Sequence, residues 1–197
     1  MTPIPQPQGP LCITFTAGVD QGTADRLIAT VIGAFDAGVR DFHLMISTTG
    51  GGVMNGITVF NFLRSLPIQL TTYNVGNVDS IGNVIFLAGD RRIACASSTF
   101  MFHGVAYNIN GPLNLAERNL AEMLAVVKAD QARMANIIED RTQIPRPVVE
   151  HMFTEAVTKN AQEALSIGII HEIGNAVVPD GIPVVLIANG QPQVGGR

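Results

Sequence analysis

Three short stretches carry residues able to do acyl chemistry together. Gly50-Gly51-Gly52 stands between an apolar, β-forming run and a helical pattern. Glycines there let the backbone approach a ligand closely and leave N–H groups free to hold an oxyanion or a phosphate. In Gly76-Asn77-Val78-Asp79-Ser80-Ile81-Gly82 the serine falls where a strand and a turn feed a helix. Its hydroxyl is therefore expected at a helix N-terminus, where free N–H groups stabilise negative charge on a bound carbonyl oxygen. His103 closes the run Thr99-Phe100-Met101-Phe102 and precedes Gly104; an imidazole is the usual general base for a serine hydroxyl. Singly, each stretch has a plain explanation: a tight turn, a helix capped by Asp79 or Ser80, and a hydrogen-bonded histidine at a strand end. The serine does not sit in the G-x-S-x-G elbow of the α/β-hydrolases. What points to Ser–His chemistry is their joint occurrence in this order.

Alternating strand and helix patterns must position these residues. Leu11 to Phe15 reads as a strand, followed by a helix with Leu27, Val31 and Phe35 at four-residue spacing, Thr23 as its cap and Gly38 as its stop. Phe42 to Ile46 is a second strand, and Val53, Ile57, Phe60 and Leu63 mark the next helix. Ile68 to Val75 reads as a strand, Gly76 to Asp79 as a turn, and Ser80 to Ala88 as a short, nearly all-apolar buried helix. Ile93 to Ala96 and Thr99 to Phe102 are further strands. The longest periodic segment runs from about Asn114 to Arg141, with Leu120, Met123, Val127, Met134 and Ile137 on one face and no Gly or Pro to interrupt it. Asn160 with Glu163 has capping-box spacing before a helix ended by Gly168 and a strand over Ile169 to Ile173. This alternation predicts an α/β fold with a mainly parallel sheet. Val177 to Val184, around Pro179-Asp180-Gly181, predicts a C-terminal hairpin. The expected organisation is a flexible Pro-rich lead-in over 1–10, one domain over 11–174, and an extension over 175–197 ending in a disordered tail.

Composition narrows the function classes. Charged residues are 14% of the 197, against roughly a quarter in ordinary soluble domains, so part of the surface is expected to be covered by other subunits. The net charge is −4 and Arg91-Arg92 is the only basic pair; neither a nucleic-acid footprint nor a polybasic membrane patch is present. The Pro-rich start lacks the basic and apolar regions of a signal peptide, and no apolar run approaches about 18 residues. Cys12 and Cys95 sit in apolar runs with no ligand spacing and are expected to be reduced and inert. The expected location is the cytoplasm.

From Leu11 to Ile173 the order of these pieces resembles the proteolytic subunit of the Clp protease, within the ClpP/crotonase superfamily. Leu44-Met45-Ile46-Ser47-Thr48-Thr49-Gly50-Gly51-Gly52-Val53 resembles the family's strand ending in Asn-Ser-Pro-Gly-Gly-Ser-Val. Val75 to Gly82 is similar to its Gly-x-Ala-Ala-Ser-Met-Gly nucleophile turn, and Phe100-Met101-Phe102-His103 to its Val-Met-Ile-His strand. The long segment from Asn114 is similar to the handle helix that interlocks two rings, and Ala161 to Ile170 to the Ala-x-Glu-Ala-x-x-Tyr-Gly-Leu-Val ending. The resemblance implies repeated ββα-like units, a protruding handle helix, Ser80 as nucleophile, His103 as general base, and the Gly51 and Ile81 N–H groups as the oxyanion hole. It implies peptide or unfolded-protein substrates, a homo-oligomer of rings or stacked rings, and no cofactor or metal. A Clp-type ATPase is the family's partner, engaged through an N-terminal gate; here a short Pro-rich stretch stands in that place.

One departure bears on chemistry. Counted back from Glu163-Ala164 without a gap, the family's catalytic aspartate falls on Ala156. Glu155 is the candidate third member after a one-residue shift, and Asn160 a weaker one; their plain readings are a solvated helix residue and a helix N-cap. Loss of the third member typically costs ~10⁴-fold in rate without abolishing activity. Three readings stay open: a Clp-type serine endopeptidase, a catalytically weak or inactive structural subunit, and a crotonase-type acyl-CoA enzyme.

Overall fold

A computed structural model describes residues 9–106, 116–178 and 180–190. In chain order the elements are β1 (Leu11–Thr16), α1 (Gln21–Asp36), β2 (Asp41–Thr48), α2 (Val53–Ser65), β3 (Gln69–Asp79), α3 (Gly82–Phe86), β4 (Arg91–Ala94) and β5 (Thr99–Phe102). There follow α4 (Glu117–Arg141), α5 (Arg146–Glu155), β6 (Val157–Asn160), α6 (Ala161–Ser166), β7 (Glu172–Ile173) and β8 (Val184–Ala188). The strands form one sheet in the order β6-β5-β3-β2-β1-β8, with β4 also on β3 and β7 on β4. Every pairing is parallel except β5 with β6. The fold is the expected mixed α/β architecture.

Period-two alternation sorts the strands between two faces. Leu11, Ile13 and Phe15 of β1, with Phe42, Leu44 and Ile46 of β2, enter the main core beneath Leu27 and Val31 of α1 and Ile57 and Leu63 of α2. Cys12, Met45, Tyr73 and Ile93 form a small cluster on the opposite face, partly covered by Ala176 and Ile182. Both cysteines are free; burial, then the Asp41 charge, pushes the Cys12 thiol up. Cys95 lies half-buried in the turn after β4 rather than within a strand.

Several boundaries differ from expectation, each for a local reason. Asp20, not Thr23, caps α1: Asp20 Oδ1 accepts from Thr23 N at 2.8 Å, and Thr23 Oγ1 accepts from Asp20 N at 2.9 Å. Gly76 to Asp79 is not a turn but the second half of β3. There the strand leaves β4, which it pairs over Thr71–Asn74, and takes up β5 over Asn77–Asp79. Asn74 makes the switch possible by accepting from Gly76 N at 3.1 Å and donating to Thr99 O at 2.8 Å, replacing ladder bonds lost at the offset. The helix expected from Ser80 shortens to α3. β6, with its half-polar Val-Thr-Lys-Asn sequence at the sheet's edge, gave no strand signal.

The expected C-terminal hairpin does not form among the described residues. After Asp180-Gly181 the chain enters β8, which pairs only with β1, in parallel. The edge of β1 offers the unpaired backbone groups that a hairpin partner would otherwise supply. Beyond β8, Asn189 Oδ1 accepts from Gly18 N at 3.1 Å, and Arg26 Nη2 donates to Ala188 O at 3.1 Å. The start of the long helix at Asn114, most of the lead-in and the last seven residues lie outside the described residues; α4 is described from Glu117.

Candidate functional site

Ser80 stands at the end of β3 with φ +57°, in the left-handed region that few residues other than glycine, asparagine and aspartate occupy. The surroundings hold it there. Its N–H donates to Met101 O of β5 at 2.8 Å, and its carbonyl accepts from Asn83 N at 3.1 Å. A non-glycine residue in this conformation costs about 1–2 kcal/mol and persists only where neighbours over-determine it. Such strain concentrates at reactive sites.

The glycine turn lies directly against the serine. A side chain at Gly50 would meet Ser80 Cβ at 2.6 Å and Asp79 O at 2.8 Å, so only glycine permits this approach. Gly51, at φ +149°, bridges in parallel with Val19: Val19 N donates to Gly50 O at 2.8 Å, and Gly52 N donates to Val19 O at 2.7 Å. That pattern uses the groups on either side of Gly51 and leaves the Gly51 N–H outside the bridge. Ile81 N–H, immediately after the serine, likewise donates to no acceptor in the turns and caps among the described residues. The five-residue α3 adds little dipole, so any oxyanion stabilisation rests on these individual N–H groups.

Polar side chains lock the two turns together. Thr48 Oγ1 donates to Ala17 O at 2.6 Å and accepts from Gly50 N at 3.1 Å. Asn77 Nδ2 donates to Thr48 O at 3.1 Å and to Asp79 Oδ2 at 2.7 Å, and Ser47 Oγ donates to Asn77 Oδ1 at 3.1 Å. Asp79 is thus engaged with Asn77 rather than capping α3. None of Thr48, Asn77 or Asn83 was singled out from sequence. The available signal was a lone amide, Asn83, in an otherwise apolar buried segment.

His103 follows β5 directly and is half-buried. Asp79 pairs with Met101 across β3 and β5, so Ser80 and His103 leave adjacent strands at neighbouring levels. No hydrogen bond joins their side chains among the described residues; such bonds are often long in unliganded sites and tighten with substrate. On the other side, the β5–β6 register ends at Phe102 with Val157, so His103 follows the last pair on one strand and Ala156 precedes it on the other. Ala156 closes α5 at φ +53° and ψ +61° and carries no polar side chain. Glu155, the neighbouring residue, is exposed and makes no hydrogen bond or ion pair among the described residues. Asn160 is occupied as the cap of α6: its Oδ1 accepts from Glu163 N at 2.9 Å, while Glu163 Oε2 accepts from Asn160 N at 2.9 Å. That bond, then Lys159, holds the Glu163 carboxyl below its ordinary value.

Gly104 N donates to Phe153 O at 2.9 Å, bringing the segment after His103 against α5. Beside it, between α4 and α5, opens a cleft of about 340 Å³ lined by Lys128, Gln131, Ala132, Glu150, Phe153 and Thr154. Among the described residues no cluster of His, Cys, Asp and Glu is arranged to hold a metal ion. The arrangement provides a strained serine, an imidazole one strand away and two unengaged N–H groups.

The Clp protease family model matches residues 11–177. The chain belongs to this family. It is 26% identical over 136 residues to the ATP-dependent Clp protease proteolytic subunit 2 of Chlamydia pneumoniae, covering 68% of this chain and 65% of that relative. Subunit 1 of Chlamydia felis gives the same identity and coverage. The match thus spans a little under two thirds of the length of these Clp subunits. Among solved structures, an Asn-to-Asp point mutant of ClpP1 from Listeria monocytogenes superposes with a TM-score of 0.75 at 17% identity, covering 84% of this chain and 91% of that one. The Clp subunit fold therefore extends across most of the chain.

Proposed function

We propose that this Clp family member is a serine peptidase in which Ser80 is the nucleophile and His103 the general base. The observation that carries the reading is the left-handed Ser80, packed on Gly50 and flanked by the unengaged N–H groups of Gly51 and Ile81. Ser80 Oγ attacks a peptide carbonyl carbon while its proton passes to His103. The resulting oxyanion is held by the Gly51 and Ile81 N–H groups. His103 returns the proton to the leaving amine as the C–N bond breaks, and water, deprotonated in turn by His103, hydrolyses the acyl-enzyme. No cofactor is needed for these steps. The substrates proposed are peptides or unfolded segments, admitted to a chamber formed by rings of this chain in the cytoplasm. A Clp-type ATPase is the partner that family membership suggests.

Ala156 favours a second reading, that of a weakly active or inactive structural subunit. An alanine at the position where the family carries its aspartate neither orients the His103 ring nor stabilises its protonated form, which leaves a dyad. Glu155 is the adjacent carboxylate and the substitute third member to be tested.

Labelling with a fluorophosphonate probe tests the reading. The peptidase requires labelling that is abolished in Ser80→Ala and falls steeply in His103→Ala, with Glu155→Gln reporting on the third position. An assembled, folded protein that takes no label supports the structural subunit. Sedimentation tests the ring; a monomer at micromolar concentration argues against the chamber.

A further inference from the structure

Within α3 a single polar side chain is sealed into the core. Asn83 is 1% exposed, between Gly82 and Val84 and among Ile81, Ile85 and Phe86, all buried. Its Nδ2 donates to two carbonyls, Ser80 O at 3.0 Å and Met101 O at 2.8 Å. Both neighbours are acceptors only, so the amide has one sensible orientation, with its two donors toward them. Its Oδ1 is buried and has no partner among the described residues. A buried acceptor left unmet is a standing cost. The side chain is therefore not explained by its own hydrogen-bond balance, and an apolar residue would suit α3 better.

What the amide joins explains it. Ser80 donates through its N–H to Met101 O, the same carbonyl that Asn83 takes. The carbonyl of Ser80 is gripped by the Asn83 side chain and by the Asn83 N–H. Both backbone ends of the strained serine are thus fixed to one point on β5, two residues before His103. We infer that Asn83 is a positioning residue: it holds Ser80 in its left-handed conformation and sets the spacing between the strand end bearing Ser80 and the one bearing His103. Without the amide, the Ser80 peptide is free to relax toward an ordinary conformation that turns Oγ away from the carbonyl it must attack.

The inference rests on Ser80 being the nucleophile, and the experiment separates the two. The rate and reversible-binding constants of fluorophosphonate labelling are measured for wild type, Ser80→Ala, Asn83→Ala and a destabilised control, Val31→Ala, well below the melting temperature of each. Absence of Ser80-dependent labelling in the wild type refutes the peptidase reading, and this inference falls with it. Given labelling, Asn83→Ala is expected to lower the maximal inactivation rate at least tenfold with reversible probe binding unchanged. Val31→Ala is expected to lose stability but keep the wild-type rate per folded molecule. Equal rates in wild type and Asn83→Ala, or an equal loss in Val31→Ala, overturn the inference. Should the alanine variant fail to fold, Asn83→Ser takes its place: its hydroxyl can donate to one carbonyl, an intermediate rate is expected, and a wild-type rate overturns the inference.

Discussion

Replacing Ala156 with aspartate is the sharpest test of how the site works. Ala156 directly precedes Val157, the residue that pairs with Phe102 at the end of β5, and holds φ +53°. Aspartate is among the few residues enriched in that region, so the substitution relieves rather than adds backbone strain, by a fraction of the about 1–2 kcal/mol a left-handed alanine incurs. A carboxylate about 4 Å from a protonated imidazole contributes roughly 4 kcal/mol at the effective dielectric of a protein surface. Ala156 is exposed in the isolated chain, so screening halves that, leaving about 2 kcal/mol, or on the order of 30-fold in rate. This lies well inside the ~10⁴-fold that a third triad member typically supplies. The assay is kcat/KM on a fluorogenic peptide beside the fluorophosphonate labelling rate. Ala156→Asn, with a similar backbone preference and no charge, is the control. Ala156→Asp is expected to gain about 30-fold and Ala156→Asn only a few-fold. No gain in a folded aspartate variant, or an equal gain in both, refutes the assignment of His103 as the base served from this position.

Other perturbations test different parts of the fold. Gly51→Ala would drive a methyl group into Val19 O at a φ that alanine avoids; labelling is expected to fall by about 10²-fold or more, as for loss of an oxyanion donor, and the melting temperature to drop with it. The Arg92 side chain, in a residue 4% exposed, donates only to carbonyls among the described residues: Ile169 O at 2.8 Å, Gly168 O at 3.1 Å, Arg141 O at 3.0 Å and Gly89 O at 3.3 Å. Burial, then the Arg141 charge, pulls its pKa down to about 10; Arg92→Ala strands those carbonyls and is expected to cost about 3 kcal/mol in denaturant unfolding. His171 accepts from Arg92 N at 3.2 Å through Nδ1 and is held below its ordinary value by partial burial, then by Arg92, Arg141 and Arg91. The unfolded chain therefore binds the His171 proton more tightly than the folded one. Stability is expected to fall as pH drops below about 6.5, and His171→Gln to flatten the melting temperature between about pH 7.5 and 5.5.

Much of the core was legible because its signal is local. Leu11-Cys12-Ile13-Thr14-Phe15 alternates cleanly between a helix-covered face and a thinner one, and Leu27 and Val31 repeat at the helical period. The glycine turn and the serine, read together from their order, do lie against each other. What sequence did not disclose depends on partners distant along the chain. β3 continues through Gly76 because Asn74 bonds to Thr99, twenty-five residues away. β6 exists because β5 needed a neighbour, not because Val-Thr-Lys-Asn favours a strand. The purpose of Asn83 in an apolar segment depends on Met101, eighteen residues away. The hairpin expectation fails because Asp180-Gly181 signals a reversal but does not specify which strand the chain joins.

That last strand ties the far end of the polypeptide to the chemistry near its beginning. Asn189 receives the Gly18 N–H, and Val19, the next residue, clasps Gly50 and Gly52 on either side of Gly51. A carboxypeptidase trimming past residue 189, or a bulky fusion prising β8 off the sheet, would slacken a loop remote in sequence but one residue from the clasp. Cleavage that reaches β8 is therefore expected to loosen the grip of Val19 on the glycine turn.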